Sequence, residues 1–177
     1  MPAYHSKISE GNYEVVCGCA VLPLNTTVRG PAPVPVEAGQ EDIVEEVLYL
    51  FRANVMFRNF EIKGASDRTL IYLTFFTQQC LREMEKTPGD KKQTARALSN
   101  LAIKPFPAPG EAGWPLGTLF PATQARDETD KFKAYLRQCR EELAKRLVER
   151  VYLPSGERNK HWMLFSKRKF MGKEFRT

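Results

Sequence analysis

The sequence predicts an all-α fold of about five helices, with one central helix enclosed by the others and with extended proline-rich straps. Apolar residues recur at helical spacing in four segments, and no alternating strand pattern of useful length is present. Prolines and glycines interrupt two further stretches, 1–40 and 105–121, which favours extended backbone there. The 177 residues suffice for one core, so we predict a single helical domain over residues 1–177.

The first two helices are predicted between residues 42 and 86. Asp42 is placed to cap the first, with Glu45 three residues later as its capping-box partner. Ser66 is placed to cap the second. The middle of that second helix, Leu70 to Phe76, is apolar on nearly every side, which is typical of a helix surrounded by others. We therefore expect it to be the central helix of the core.

Two more helices and a terminal helical segment are predicted downstream. Asp90 with Gln93 is placed to cap a short helix that Pro105 stops. The longest helix is predicted from about Asp127 to Tyr152, with one apolar stripe made of Phe132, Leu136, Cys139, Leu143, Leu147 and Val151. A final helix is predicted within residues 160–173, KHWMLFSKRKFMGK.

Charge is concentrated at one end of the chain. The formal net charge is +6, and residues 157–177 hold seven basic and two acidic residues, so they contribute +5 and leave +1 for the rest. The apolar fraction of 42% and the charged fraction of 27% are ordinary for a soluble globular protein. No apolar run approaches the roughly 18 residues that cross a bilayer, and the N-terminus lacks an export signal. We expect an intracellular protein without membrane insertion.

The sequence shows no motif for catalysis, for a metal or for a cofactor. It contains neither a phosphate-binding G-x-x-x-x-G-K-[ST] loop nor a nucleophile elbow. A structural zinc site needs about four converging ligands, and the available cysteines and histidines are scattered, at Cys17, Cys19, Cys80, Cys139, His5 and His161. We therefore predict that the protein is not an enzyme and has no catalytic residues, no metal site and no cofactor.

Two segments are candidates for binding a partner. The stretch FPAPGEAGWPLGTLF, residues 106–120, either packs on its own domain or faces another protein through Trp114 and Phe120. The C-terminal segment places Lys167, Arg168, Lys169 and Lys173 among aromatic residues. Its rings and charges are compatible with docking on the core, with an acidic protein surface, or with a nucleic-acid backbone.

Several segments resemble one family in the correct order. They are MPAYHS, RGPAP (29–33), ANVMFRNFEIKGASDRTLIYLT (53–74), FPAPGEAGWPLGTLF (106–120), AYLRQCREELAKRL (134–147) and KRKFMGK (167–173). The family is subunit three, the 21-kilodalton subunit, of the actin-related protein 2/3 complex. Residues 86–102 are less similar to it, Trp114 stands where another aromatic residue is common, and Cys17 and Cys19 are particular to this chain.

The resemblance implies a compact helical, non-catalytic subunit of a seven-protein complex that nucleates actin branches on existing filaments. It implies packing against actin-related protein three and a position near the mother filament. The implied partners are the other subunits, the actin filament and nucleation-promoting activators, with no nucleic acid. The implied location is the cytoplasmic actin cytoskeleton, in cortical patches or leading-edge networks.

Contact with a filament or activator is then expected from Lys167, Arg168, Lys169 and Lys173. The alternative from a different class is a small basic nucleic-acid-binding module. That alternative depends only on the charge and the rings of the C-terminal segment.

Overall fold

A computed structural model describes residues 4–8, 11 and 13–175 of the chain. The predictions that fall on residues 1–3, 9, 10, 12, 176 and 177 lie outside the described residues. The mostly helical fold class is confirmed, with a small two-stranded sheet added to it. Within the described part the elements are β1 (Val15–Val16), β2 (Cys19–Ala20), α1 (Ile43–Asn54), α2 (Ala65–Lys86), α3 (Lys91–Ile103), α4 (Arg126–Val151) and α5 (Lys160–Met163).

Helix α1 begins as the sequence predicts, but the predicted capping box is not complete. The Asp42 carboxylate accepts a hydrogen bond of 2.9 Å from the backbone N–H of Glu45. Glu45 does not return the bond, because its own carboxylate pairs with Arg146 and Arg150 of α4. A long-range ion pair has therefore replaced the local contact.

Helix α2 begins two residues earlier than predicted, and its N-cap is Gly64, not Ser66. Asp67, in the first turn, is buried and accepts hydrogen bonds from the backbone N–H groups of Lys63 and Ser6, both at 2.9 Å. His5 Nδ1 also lies 2.7 Å from this carboxylate. The carboxylate thus holds the chain just before the helix and the N-terminal segment against the first turn of α2.

The apolar middle of α2 is buried, and the helix contacts most of the other elements. Every residue from 69 to 81 is buried, and α2 contacts α1, α3, α4, α5 and β2. Two of its buried hydroxyls are satisfied within the helix, since Thr74 and Thr77 donate to carbonyls one turn back, each at 2.8 Å. Among the described residues, no helix is both long enough and apolar enough to span a bilayer.

A tight hairpin that the sequence pattern missed lies near the N-terminus. Val15 pairs with Ala20 and Val16 with Cys19, which leaves a two-residue turn at Cys17 and Gly18. Both turn residues have positive φ, 48° and 78°, as a type I′ turn requires. Strands of two residues are too short to produce a recognisable alternation, so the all-α prediction overlooked them.

The part of the N-terminal strap (residues 1–40) from residue 22 to residue 32 lies along α4. The Tyr135 hydroxyl accepts from the backbone N–H of Leu22 at 2.9 Å and also contacts the Leu22 carbonyl oxygen at 3.1 Å. Gln138 bonds to the strap twice, accepting from Ala32 N–H and donating to the Val28 carbonyl, both at 2.9 Å. Side chains of one helix thereby replace the backbone partners that an extended segment lacks.

The C-terminal segment, residues 157–177, is not the helix predicted over 160–173. Helix α5 ends at Met163, and turns continue to a 3₁₀ turn at Phe170–Gly172. Met171 has a φ of 52°, outside helical geometry. Gln78 of α2 donates to the carbonyls of Phe165 and Ser166 at 2.7 and 2.9 Å, and this bonding replaces the helical pattern.

Arg146 joins α1, α4 and the N-terminal strap in one ion-pair network. Its guanidinium binds both carboxylate oxygens of Asp42 at 2.7 Å, Glu142 at 2.8 Å and the Asn25 carbonyl at 2.6 Å. Burial raises the pKa of Asp42, but the hydrogen bonds from Arg146 and from two backbone N–H groups outweigh it and hold the pKa below its ordinary value.

We expect Arg146→Gln to lower the free energy of unfolding by about 3 kcal/mol, because it leaves the buried Asp42 carboxylate without its cation. Urea unfolding of the isolated chain measures this loss. The loss should shrink as pH falls through the folded-state pKa of Asp42, since a protonated carboxyl no longer needs the cation.

The matched control is Arg137→Gln on the same helix. Arg137 is exposed, and its one acidic neighbour, Glu141, is as far as 4.0 Å away. Loss of the Arg137 charge should therefore change the free energy of unfolding by less than about 0.5 kcal/mol. Equal stability of the two variants would contradict the role given to Arg146.

Candidate interaction surfaces

The proline–glycine strap, residues 105–121, is attached to the core by an aromatic cluster. Trp114 stacks on Tyr72 of α2, with ring centroids 6.2 Å apart and planes 12° apart. It also meets Phe120 and Phe132 edge-on at 5.3 and 6.0 Å. Arg68 donates to the Leu119 carbonyl at 2.9 Å and holds the far end of the strap.

The two predicted contact residues of this strap differ in exposure. Phe120 is 2% exposed and is covered by its own chain, whereas Trp114 is half-buried. Any partner that approaches the strap would therefore meet the edge of Trp114 and the exposed backbone around residues 110–113 before it met Phe120. Binding of a partner by either ring stays a prediction.

The rings of the C-terminal segment dock on the core. Phe170 is buried between Phe60 and Phe75, with centroids 6.1 and 5.0 Å away. Trp162 stacks on Phe51 at 5.8 Å. These rings are consequently unavailable for stacking on nucleic-acid bases, which removes one of the two features behind the nucleic-acid alternative.

The four predicted basic contact residues all lie on the surface. Lys167, Arg168 and Lys169 follow one another in the turn between α5 and the 3₁₀ turn, and Lys173 comes just after it. Lys169 has one acidic neighbour, Glu174, at 3.8 Å. Because the adjacent rings are anchored, these charges project from a fixed base, not from a free tail.

A further exposed surface was not predicted. Tyr49 lies on α1 and Met56 in the turn that follows the helix, and they are 77% and 52% exposed. Arg52, between them in the chain, lies 5.9 Å from the ring of Trp162, and Leu164, two residues after Trp162, is 71% exposed. We call these four residues, Tyr49, Arg52, Met56 and Leu164, the α1 face. A large aromatic residue outside the apolar stripe of α1 was the signal in the sequence that could have identified it.

The buried thiols are poorly suited to chemistry. Burial raises the pKa of Cys17 to about 11 and that of Cys139 to about 12, so both are protonated at neutral pH. All four cysteines are unbridged and buried. Within the described residues no group of three or more His, Cys, Asp or Glu side chains is arranged to hold a metal ion.

Comparison with known proteins identifies the family. Residues 1–175 match the family model described as the ARP2/3 complex ARPC3 (21 kDa) subunit. The chain belongs to this family. The resemblance found in the sequence is therefore confirmed. The match covers both straps, the α1 face and the C-terminal segment as far as residue 175.

Relatives in this family match along nearly their whole length. The chain is 44% identical to actin-related protein 2/3 complex subunit 3 of Arabidopsis thaliana, over 95% of this chain and 96% of the relative. It is 43% identical to the Schizosaccharomyces pombe protein of the same name, over 98% and 99% of the two chains. For the Dictyostelium discoideum protein, also of that name, the identity is 42%, over 96% and 98%.

We expect Trp114→Ala to destabilise the isolated chain by about 3 kcal/mol, because the substitution empties the space between Tyr72, Phe120 and Phe132. Thermal and urea unfolding measure this effect. Leu164→Ala is the control, since a side chain that is 71% exposed should change stability by less than about 0.5 kcal/mol.

A different result would indicate that the Trp114 ring contacts a partner. If Trp114→Ala unfolds like the unaltered chain but no longer enters an assembled complex, the ring contributes to a partner contact and not to the fold.

Proposed function

We propose that this protein is a non-catalytic structural subunit of the actin-related protein 2/3 complex. In this role it supports nucleation of branched actin filaments by packing against actin-related protein three and lying near the mother filament. The observation that carries the proposal is the family match over residues 1–175, with relatives of equal length that are named as subunit 3 of that complex.

The α1 face supports packing against another subunit. Tyr49 and Arg52 lie on a helix whose opposite side is buried, Met56 follows in the turn after it, and Leu164 caps the end of α5. The centres of protein interfaces favour Tyr, Met and Arg, and these three residue types occur together here. We propose that the α1 face is buried by a neighbouring subunit. The N-terminal strap adds Val34 and Val36, which are 82% and 88% exposed.

The proposal includes the arrangement expected from the sequence, in which α2 is a central helix enclosed by the others and extended proline-rich straps are added to them; we propose that these parts form a rigid block. The burial of residues 69–81 and the side-chain bonds from α4 to the N-terminal strap support it. A structural subunit needs such rigidity, because an interface that must first become ordered loses part of its binding energy.

The charged residues of the C-terminal segment suit an acidic protein surface. Their rings are anchored in the core, so Lys167, Arg168 and Lys169 present three adjacent positive charges to solvent. Charge complementarity of this kind speeds encounter and sets orientation. We propose that the acidic partner is the actin filament or a nucleation-promoting activator. The protein would then act in cytoplasmic actin networks, in cortical patches or at the leading edge, without a cofactor of its own.

We expect reversal of Lys167, Arg168 and Lys169 to glutamate to lower branch formation about tenfold at low salt, the lower end of the range over which electrostatic steering changes association rates. The deficit should shrink as salt is added, because exposed charges are screened. Branch density is measured by fluorescence microscopy with a reconstituted complex. The complex itself should elute intact and with full stoichiometry.

Lys91, Lys92 and Arg96, all exposed on α3, provide a control with the same change of charge. Their reversal to glutamate should leave branching near the level of the unaltered complex. If the C-terminal reversal behaves like this control at low salt, the proposed contact is wrong.

A further inference from the structure

A cavity of about 610 Å³ lies between the proline–glycine strap and the C-terminal segment. Four aromatic residues form part of its walls, Tyr72, Phe106, Trp114 and Phe175. Gln79 of α2 and Arg140 of α4 also line it. The proposed function makes no use of this cavity, although it lies beside both segments that the sequence singled out.

Arg140 is a buried cation without an acidic partner. Only 3% of the residue is exposed, and its guanidinium lies between the rings of Phe76 and Phe106, 4.5 and 4.3 Å from their centroids. It donates to the Tyr72 hydroxyl at 3.2 Å and to the Leu101 carbonyl at 2.8 Å. No carboxylate among the described residues pairs with it. Buried charges are normally paired, so this one stands out.

Three buried polar atoms of the same cavity have no hydrogen-bond partner among the described residues. They are Nε of Arg140, Oε1 of Gln79 and Nε1 of Trp114. More than about 90% of buried polar groups in folded proteins have a partner. Two unpaired donors and one unpaired acceptor in one cavity therefore indicate a ligand that accepts hydrogen bonds and also donates one.

The rim of the cavity adds positive charge. Lys104, Lys169 and Lys173 line it, against one acidic residue, Glu174. Glu174 is already engaged, because it pairs with Arg82 and lies 3.8 Å from Lys169. The field inside the cavity therefore favours an anion, and the low polarity of the walls strengthens that preference.

We propose that this cavity binds a side-chain carboxylate that lies next to an apolar side chain in a partner polypeptide. The carboxylate pairs with Arg140 and the lysines, and the apolar group packs on the rings. A peptide N–H donates a hydrogen bond to the Gln79 oxygen. Inorganic phosphate would satisfy the charge but would leave the aromatic walls uncovered. That the carrier is a partner polypeptide rests on the proposed function, whereas the preference for a carboxylate is a property of this chain alone.

Nuclear magnetic resonance on the full, ¹⁵N-labelled chain tests the preference. The probes are N-acetyl-Phe-Glu-amide and N-acetyl-Phe-Gln-amide, which differ in the carboxylate. The chain has two tryptophans, so the Trp114 indole and the Arg140 Nε–H signals report on the cavity while the Trp162 indole serves as an internal control. We expect the acidic peptide to shift the first two signals and to bind at least about tenfold more tightly, since charge-assisted hydrogen bonds are the stronger ones.

Equal binding of the two peptides would overturn the proposal. So would equal shifts at Trp162, or shifts of the same size with inorganic phosphate alone. Arg140→Lys keeps the charge but loses the planar fork of donors, so it should reduce the preference for the acidic peptide to less than about threefold.

If Arg140→Lys does not fold, a second variant replaces it. Lys169 and Lys173 are exposed, and their joint change to glutamine should weaken binding of the acidic peptide about threefold while leaving the amide peptide unaffected. Unchanged affinity would contradict the electrostatic argument. If the chain enters the complex but binds both peptides equally, this inference alone is overturned. If the chain prefers the acidic peptide but does not enter the complex, the proposed function is overturned and the carboxylate preference stands.

Discussion

Long irregular segments constrain this fold, because each buried peptide N–H and C=O outside a helix or sheet must find a partner. Here the helices supply those partners from their side chains. Tyr135 and Gln138 of α4 bond to the N-terminal strap, Arg68 of α2 bonds to the proline–glycine strap, and Gln78 of α2 bonds to the C-terminal segment. Without them, extended chain would be driven from the apolar surface into water, and the core would lose its cover.

The need to pair buried peptide groups also determines which side chains of the C-terminal segment reach the surface. Arg158 donates to the carbonyls of Met84 and Thr87 at the end of α2, at 2.6 and 2.5 Å, so the chain after α4 returns to the core. From there the aromatic residues turn inward and the lysines outward. A charged surface on a rigid base and an aromatic cavity beside it thus result from one packing arrangement. Among the described residues, Arg140 is the one Lys or Arg side chain that this arrangement buries.

Local sequence signals predicted most of the helical framework. Asp42 and Asp90 cap α1 and α3 as expected, since each accepts from the backbone N–H three residues later. The same local logic failed where a distant residue competed. Glu45 binds α4 instead of its own N-terminus, and the backbone of the C-terminal segment is held by Gln78 and not by helical bonds. The basic residues were found by composition, but Tyr49 and Arg140 were not, because their importance depends on what lies across from them.

The sequence by itself determined the four long helices, the location of the positive charge and the membership of a family, since these depend on the order and spacing of residues along the chain. Only the tertiary structure decided which polar side chains hold the straps, which aromatic rings are covered and where a buried guanidinium meets a cavity. Those features join residues far apart in the chain, as when Tyr135 meets Leu22 or Arg140 meets Tyr72. Spacing along the chain carries no record of such contacts, because they form only when packing brings the elements together.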